Sequence, residues 1–141
     1  MELGHIALTV TDHNEIQGFY HEVLGMKEIR SFSLDKHLGR NIFGIEETTT
    51  VVQLQKDGLL LELFVTQEPC DHPYHHVCIT TAHREEIVRR AIQHSYECIR
   101  IKRPKSDMIF ISDRSGNLFE MKQSHKVPGH EENNKNRNHH L

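Results

Sequence analysis

The stretch Gly58-Leu59-Leu60-Leu61-Glu62-Leu63-Phe64-Val65 decides how the chain is read. After the turn Lys56-Asp57-Gly58 come seven residues that are apolar except for one carboxylate. A short apolar run bounded by a turn reads as a buried strand. A lone charged group inside it is costly unless it is paired or bound to a metal. Near the other end, Ser115-Gly116-Asn117-Leu118-Phe119-Glu120-Met121-Lys122 has the same plan: a glycine turn, apolar residues and one mid-strand glutamate. Two glutamates in matching settings imply a duplication.

The start of each half repeats as well. His5-Ile6-Ala7-Leu8-Thr9-Val10 resembles His76-Val77-Cys78-Ile79-Thr80-Thr81, and both run into a helical segment. The chain therefore reads His, Glu, His, Glu. The longer first gap fits one extra loop in the first half.

At 141 residues the default is one globular domain with a sizeable core. The net charge of −3 is spread over mixed signs, which offers no basic field for nucleic acid and no polybasic membrane patch. No apolar run is long enough to span a bilayer, and the first residues do not read as a signal peptide. Three cysteines, Cys70, Cys78 and Cys98, are too few and too odd in number for a disulfide framework, so a reducing cytoplasm is the simplest home.

Taken in order, residues 2–11 read as a strand. Asp12 reads as a helix N-cap and Glu15 as the glutamate of a capping box. Ile16, Phe19, Tyr20, Val23 and Leu24 follow helical spacing, and Gly25 closes the helix. Residues 26–33 form a strand, 34–50 a long connection, and 49–55 with 59–66 a hairpin. Residues 67–74 are a linker. The second half repeats the order: a strand over 75–80, and a helix from 81 or 82 to about 96 with Ile87, Val88, Ala91 and Ile92 inward. A strand over 97–103 and a hairpin of 108–112 with 118–123 complete it. The single domain thus spans 1–123, as βαβββ modules 1–66 and 75–123. The tail, 124–141, is rich in Asn, His and charge and reads as disordered.

Side chains alternate along strands. His5, Ala7 and Thr9 share one face, as do Leu60, Glu62 and Phe64. His76, Cys78 and Thr80 share another with Leu118, Glu120 and Lys122. The opposite faces carry the larger apolar residues and suit packing on the helices. The expected fold is α+β: two modules forming a curved, cup-like mixed sheet with helices on the outer face. If each half curls, His5, Glu62, His76 and Glu120 can converge inside. Two imidazoles and two carboxylates make a mixed N/O site for a divalent ion such as Ni, Zn, Mn, Fe(II) or Co. Each position alone is weak, since a strand histidine is more often structural than a ligand. The four at equivalent positions of two repeats are far more specific.

These residues resemble the vicinal oxygen chelate superfamily of glyoxalase I, bleomycin-resistance proteins, methylmalonyl-CoA epimerase and extradiol dioxygenases. The matching pieces are Gly4-His5-Ile6-Ala7-Leu8-Thr9-Val10, the segment from Phe19-Tyr20 to Leu24-Gly25-Met26, Leu60-Leu61-Glu62-Leu63-Phe64, His76-Val77-Cys78-Ile79, and the segment from Asp113 to Met121. The resemblance implies paired modules and a homodimer. The ligand pattern is most similar to glyoxalase I, where all four residues bind the metal; carried over, Glu120 is also the proton-transfer base. A Glu at position 62 argues against the extradiol branch, and the presence of ligands argues against a metal-free drug binder. Bacterial glyoxalase I enzymes tend to carry an Arg four residues after the first His, where this chain has Thr9.

What the resemblance implies is a small α-oxo or hydroxy-carbonyl substrate chelated through two oxygens, with lyase or isomerase chemistry. Thr9, Arg40, Phe64 and Lys122 are candidate substrate contacts, although Arg40 and His37 read more simply as solvated loop residues. Cys78 reads as a packing residue, and Cys70, His72 and His75 as linker residues. Two alternatives stand beside this: a small-molecule-sequestering resistance protein of the same fold, and a metal-dependent thiol transferase or dioxygenase. Whether the four ligands meet within one chain or across a dimer is left open.

Overall fold

The computed structural model describes residues 5–40, 45–68 and 76–125. The expected linker positions Cys70, His72 and His75, residues 2–4 of the first strand and the tail beyond His125 lie outside them. The strands are β1 (Ile6–Val10), β2 (Lys27–Leu34), β3 (Thr49–Lys56), β4 (Leu59–Val65), β5 (Val77–Thr81), β6 (Glu97–Ile101), β7 (Met108–Ser112) and β8 (Leu118–Gln123). They form two four-stranded mixed sheets, ordered β1-β4-β3-β2 and β5-β8-β7-β6. In each, the first strand of the module pairs in parallel with the last. This is a tandem α+β arrangement, and each module closes its own sheet.

The β3–β4 hairpin turns at Asp57 and Gly58, both at positive φ (49° and 83°), as the tight turn between right-twisted strands requires. The first helix, Ile16–His21, is wider than an α-helix. The N–H groups of Glu22 and Leu24 donate five residues back, to the carbonyls of Gln17 and Phe19. Asp12 accepts from the Asn14 N–H, as a capping residue does. The long connection holds one short turn of helix, α1 (Lys36–Leu38). In α2 (Arg84–Gln93), Ile87, Val88 and Ala91 are buried as the spacing predicts. Ile92 is not: it is 61% exposed, because at 100° per residue it lies well off the stripe that the other three define.

One core cluster unites the helix-covered faces of both sheets. Leu8, Val10, Leu61 and Leu63 from the first meet Ile109, Ile111, Phe119 and Met121 from the second. Phe19 lies at its centre, with ring centroids 5.1 Å from Tyr20, 4.9 Å from Tyr96 and 5.7 Å from Phe119, the separations at which aromatic rings attract. The first helix approaches Tyr96 so closely at Gly18 that a Cβ there would stand 2.7 Å from the Tyr96 hydroxyl.

A polar seam crosses this core. The Asp113 carboxylate accepts from the N–H groups of Ser115 (2.9 Å) and Asn117 (2.8 Å), the Tyr20 hydroxyl (2.9 Å) and the Asn117 amide (2.7 Å). That amide also donates to the Thr9 carbonyl at 2.8 Å, and the Thr11 N–H donates to the Ser115 hydroxyl. The Arg114 N–H donates to Glu15, while the Arg114 guanidinium donates to the Tyr96 hydroxyl at 2.8 Å. Glu15 is therefore not the glutamate of a capping box. It is 2% exposed, makes no cap bond, and serves the second module instead of its own helix. The structure thus gives the turn Asp113-Arg114-Ser115-Gly116-Asn117 a second role as the joint between the modules.

Removing the Asp113 side chain would take away the acceptor of four hydrogen bonds, from the Tyr20 hydroxyl, the Asn117 amide and two N–H groups. Asp113→Ala is expected to cost about 3 kcal/mol or more, read as a lower denaturation midpoint in urea.

Burial holds the Glu15 carboxyl above its ordinary value of 4.5, with Asp113 and Asp12 adding to the rise. A carboxyl raised in the folded state stabilises the fold below its unfolded pKa, and that contribution is lost as pH rises through the folded value. Glu15→Gln keeps an acceptor for the Arg114 N–H and removes the ionisation. Its melting temperature relative to the parent is therefore expected to climb as pH increases from 4.5 towards neutrality, checked by thermal melts across that range.

Candidate metal centre

The four sequence-expected ligands stand in two pairs. Strand β1 pairs with β4 so that Ala7 faces Glu62, and His5, two residues earlier, lies on the same face. Its Nε2 is 3.0 Å from Glu62 Oε1. In the second module Cys78 faces Glu120, and Nε2 of His76, again two residues earlier, is 3.2 Å from Glu120 Oε2. The parallel register is the same in both halves. Two ligands at right angles on one ion, each 2.0–2.2 Å from it, are about 3 Å apart. Each imidazole–carboxylate pair therefore has the chemistry and spacing of two adjacent positions in a six-coordinate donor set.

Among the described residues, no group of three or more His, Cys, Asp or Glu side chains is placed to hold an ion. The convergence of all four ligands within one chain is not what the structure shows. The reason lies in the core: the modules meet through their helix-covered faces, so each His/Glu face looks away from the seam. Both pairs are open to solvent, with side-chain exposures of 46% for His5 and 12% for Glu62, and 32% for His76 and 16% for Glu120.

The surroundings of the two glutamates differ. Gln53 on β3 lies opposite Glu62, and its amide donates to Oε2 at 2.7 Å. The equivalent residue opposite Glu120 is Phe110, whose ring packs edge-on against His76 at 5.7 Å. Sequence reasoning did not single out Gln53, and its position after Val51-Val52 in an alternating strand was the available signal. The Cys78 thiol is pushed above its ordinary range, first by burial and then by the negative charge of Glu120. The residue is exposed on the Glu120 face, so the structure does not give it the packing role read from the sequence.

Of the candidate substrate contacts, Thr9 and Phe64 face each other on the His5 side of the first sheet. Lys122 is on the Glu120 side of the second, opposite Thr80. Arg40 is exposed in the connection and lies 3.9 Å from Glu46. A cavity of about 420 Å³, lined in part by Leu24, Met26, Lys56, Ile79 and His83, touches neither pair.

The family model of the Glyoxalase/Bleomycin resistance protein/Dioxygenase superfamily matches residues 2–121. The chain belongs to this superfamily. No curated protein matches it. Solved structures of glyoxalase-superfamily type match it in fold. A glyoxalase family protein from Enterococcus faecalis is 18% identical with a TM-score of 0.64, over 85% of this chain and 95% of that one. A mutant of the fosfomycin resistance protein FosX from Listeria monocytogenes, complexed with Mn(II) and 1S,2S-dihydroxypropylphosphonic acid, is 22% identical with a TM-score of 0.66, covering 86% and 90%. The trypanothione-dependent glyoxalase I of Leishmania major is 23% identical with a TM-score of 0.66, covering 87% and 86%. At these identities the likeness is one of fold. Among the described residues no helix is long and apolar enough to cross a membrane.

Proposed function

We propose that this glyoxalase-superfamily chain is a metal-dependent lyase or isomerase. It works as a homodimer on a small substrate that presents two neighbouring oxygens. The observation that supports this best is the pair of matched half-sets, His5 with Glu62 and His76 with Glu120, on faces that packing within the chain leaves open. A second copy related by a twofold axis would set the first face of one subunit against the second face of the other. Each of two sites then takes His5 and Glu62 from one chain and His76 and Glu120 of the partner subunit. When bound, the divalent ion supplies Lewis-acid stabilisation of an oxyanion on the substrate.

The protein groups divide the remaining work. The Gln53 amide holds one oxygen of Glu62, which suits a fixed ligand. Glu120 has Phe110 where Glu62 has Gln53, so no carboxamide restrains it from that side. It is the better candidate to take a proton from carbon and return it to a neighbouring one. Phe110 and Phe64 would keep water from the reacting carbon.

The shared site has a sharp test. His5→Ala and His76→Ala are each expected to bind a divalent ion weakly alone. When the two are mixed and allowed to exchange subunits, about one quarter of all sites regain four ligands, read by metal analysis after dialysis. A site confined to one chain would show no recovery on mixing.

Glu120→Gln tests the base. At saturating metal, turnover of any α-oxo or hemithioacetal compound found by screening is expected to fall roughly 10²–10⁴-fold. Restoration of most of the rate by excess metal would leave Glu120 as a ligand only.

A further inference from the structure

Resting on that reading of the site, we propose that its two walls sort the substrate by polarity. Arg30 on β2 takes an oxyanion group of the substrate, carboxylate or phosphonate, and the face of the second module takes an apolar part.

The case begins with register. Across the first sheet, Ala7 faces Glu62, Glu62 faces Gln53, and Gln53 faces Arg30. These four residues form one transverse row, so Arg30 shares the face of His5 and Glu62. It does so because of a bulge. Register shifts between Glu28 and Arg30: Glu28 faces Leu54, and the next pair is Arg30 with Gln53. Without the extra residue, Ile29 would face Gln53 and Arg30 would turn to the helix-covered side, since a one-residue slip flips every side chain. Bulges are used in this way to re-aim a side chain beside a site. Here an arginine is brought onto the ligand face in place of an isoleucine.

The guanidinium is also held there. Its carbon is 4.7 Å from the ring centroid of Phe32, the next residue on that face. Among the described residues Arg30 makes no ion pair, so its five donors are available for an incoming anion. Two strand spacings, about 10 Å, separate its backbone from that of Glu62. A group a few bonds from the chelated oxygens would therefore meet it.

The second module has the opposite character at the equivalent positions. The row through Glu120 continues to Phe110 and Ile99, and the neighbouring row ends in Met108 and Ile101. Ile99 and Ile101 are 45% and 48% exposed. The outer strands β2 and β6 thus differ, cationic Arg30 on one half against Ile99 and Ile101 on the other, while the cation of the second face, Lys122, stands on β8 in the row beside Glu120. The simpler reading of Arg30 is a surface cation that guards an edge strand against aggregation; that role carries no ligand preference.

The test uses Mn(II)-loaded protein and three hydroxamates, which chelate through two neighbouring oxygens. Acetohydroxamate has no charged arm, succinic monohydroxamate ends in a carboxylate, and 3-phosphonopropionohydroxamate ends in a phosphonate. Calorimetry is expected to show an armed probe binding about tenfold or more tightly than acetohydroxamate, and the preferred arm identifies the oxyanion. Arg30→Met should erase the preference while leaving Mn(II) and acetohydroxamate affinities unchanged, and Arg30→Lys should keep part of it. Should Arg30→Met fail to fold by circular dichroism, Arg30→Lys and Arg30→Gln carry the comparison. Acetohydroxamate binding with no preference in the parent, or a preference that survives loss of Arg30, overturns the inference and leaves the metal site standing. Failure of Mn(II) or of every hydroxamate to bind overturns both.

Discussion

One buried carboxylate holds the two halves of this protein in register. Asp113 gathers its own turn, the Tyr20 hydroxyl and the Asn117 amide, and through Asn117 it fixes the carbonyl of Thr9 at the far end of β1. Taking such a group out of water is costly, and burial accordingly pushes its pKa above the usual carboxylate range. Four donated hydrogen bonds offset that cost. Because the partners belong to both modules, the same network that closes a turn also sets how the two sheets meet.

That contact decides which faces remain. Each sheet buries its branched and aromatic side against the helices and the other module, leaving the alternate residues outward. His5, Glu62, His76 and Glu120 are all on outward faces, in identical parallel registers. The duplication therefore yields two matched His/Glu pairs that do not meet inside one chain. Further along the two glutamate rows the halves have diverged, with Gln53 and Arg30 on one side and Phe110 and Ile99 on the other.

The duplication, the hairpins and the faces were legible in the sequence because they rest on local chemistry. A period of two sorts the residues of a strand without reference to the rest of the chain, and Asp57-Gly58 announces its turn. Features that depend on distant partners were not legible. Glu15 has the spacing of a capping residue, yet its partner is Arg114 in the other module. Arg30 changes face through a bulge that leaves no mark on composition, and Gln53 gains meaning only once Glu62 is known to stand opposite. Whether four ligands converge depends on how sheets pack, and strand periodicity is blind to that.

The parallel pairing within each module also bears on how the molecule comes to exist. The β3–β4 hairpin closes over a two-residue turn, whereas Ile6 must find Leu61, and Val77 must find Phe119, across two other strands and the helical segments between them. Contacts between residues so far apart in the chain carry a large loop-closure entropy and slow folding. Each histidine sits at the head of the strand that makes this long-range contact, and each glutamate on the strand that receives it. A chain that has formed its hairpins but not this parallel pairing thus holds its imidazoles away from its carboxylates, and the two His/Glu pairs exist only once the topology of each module is complete.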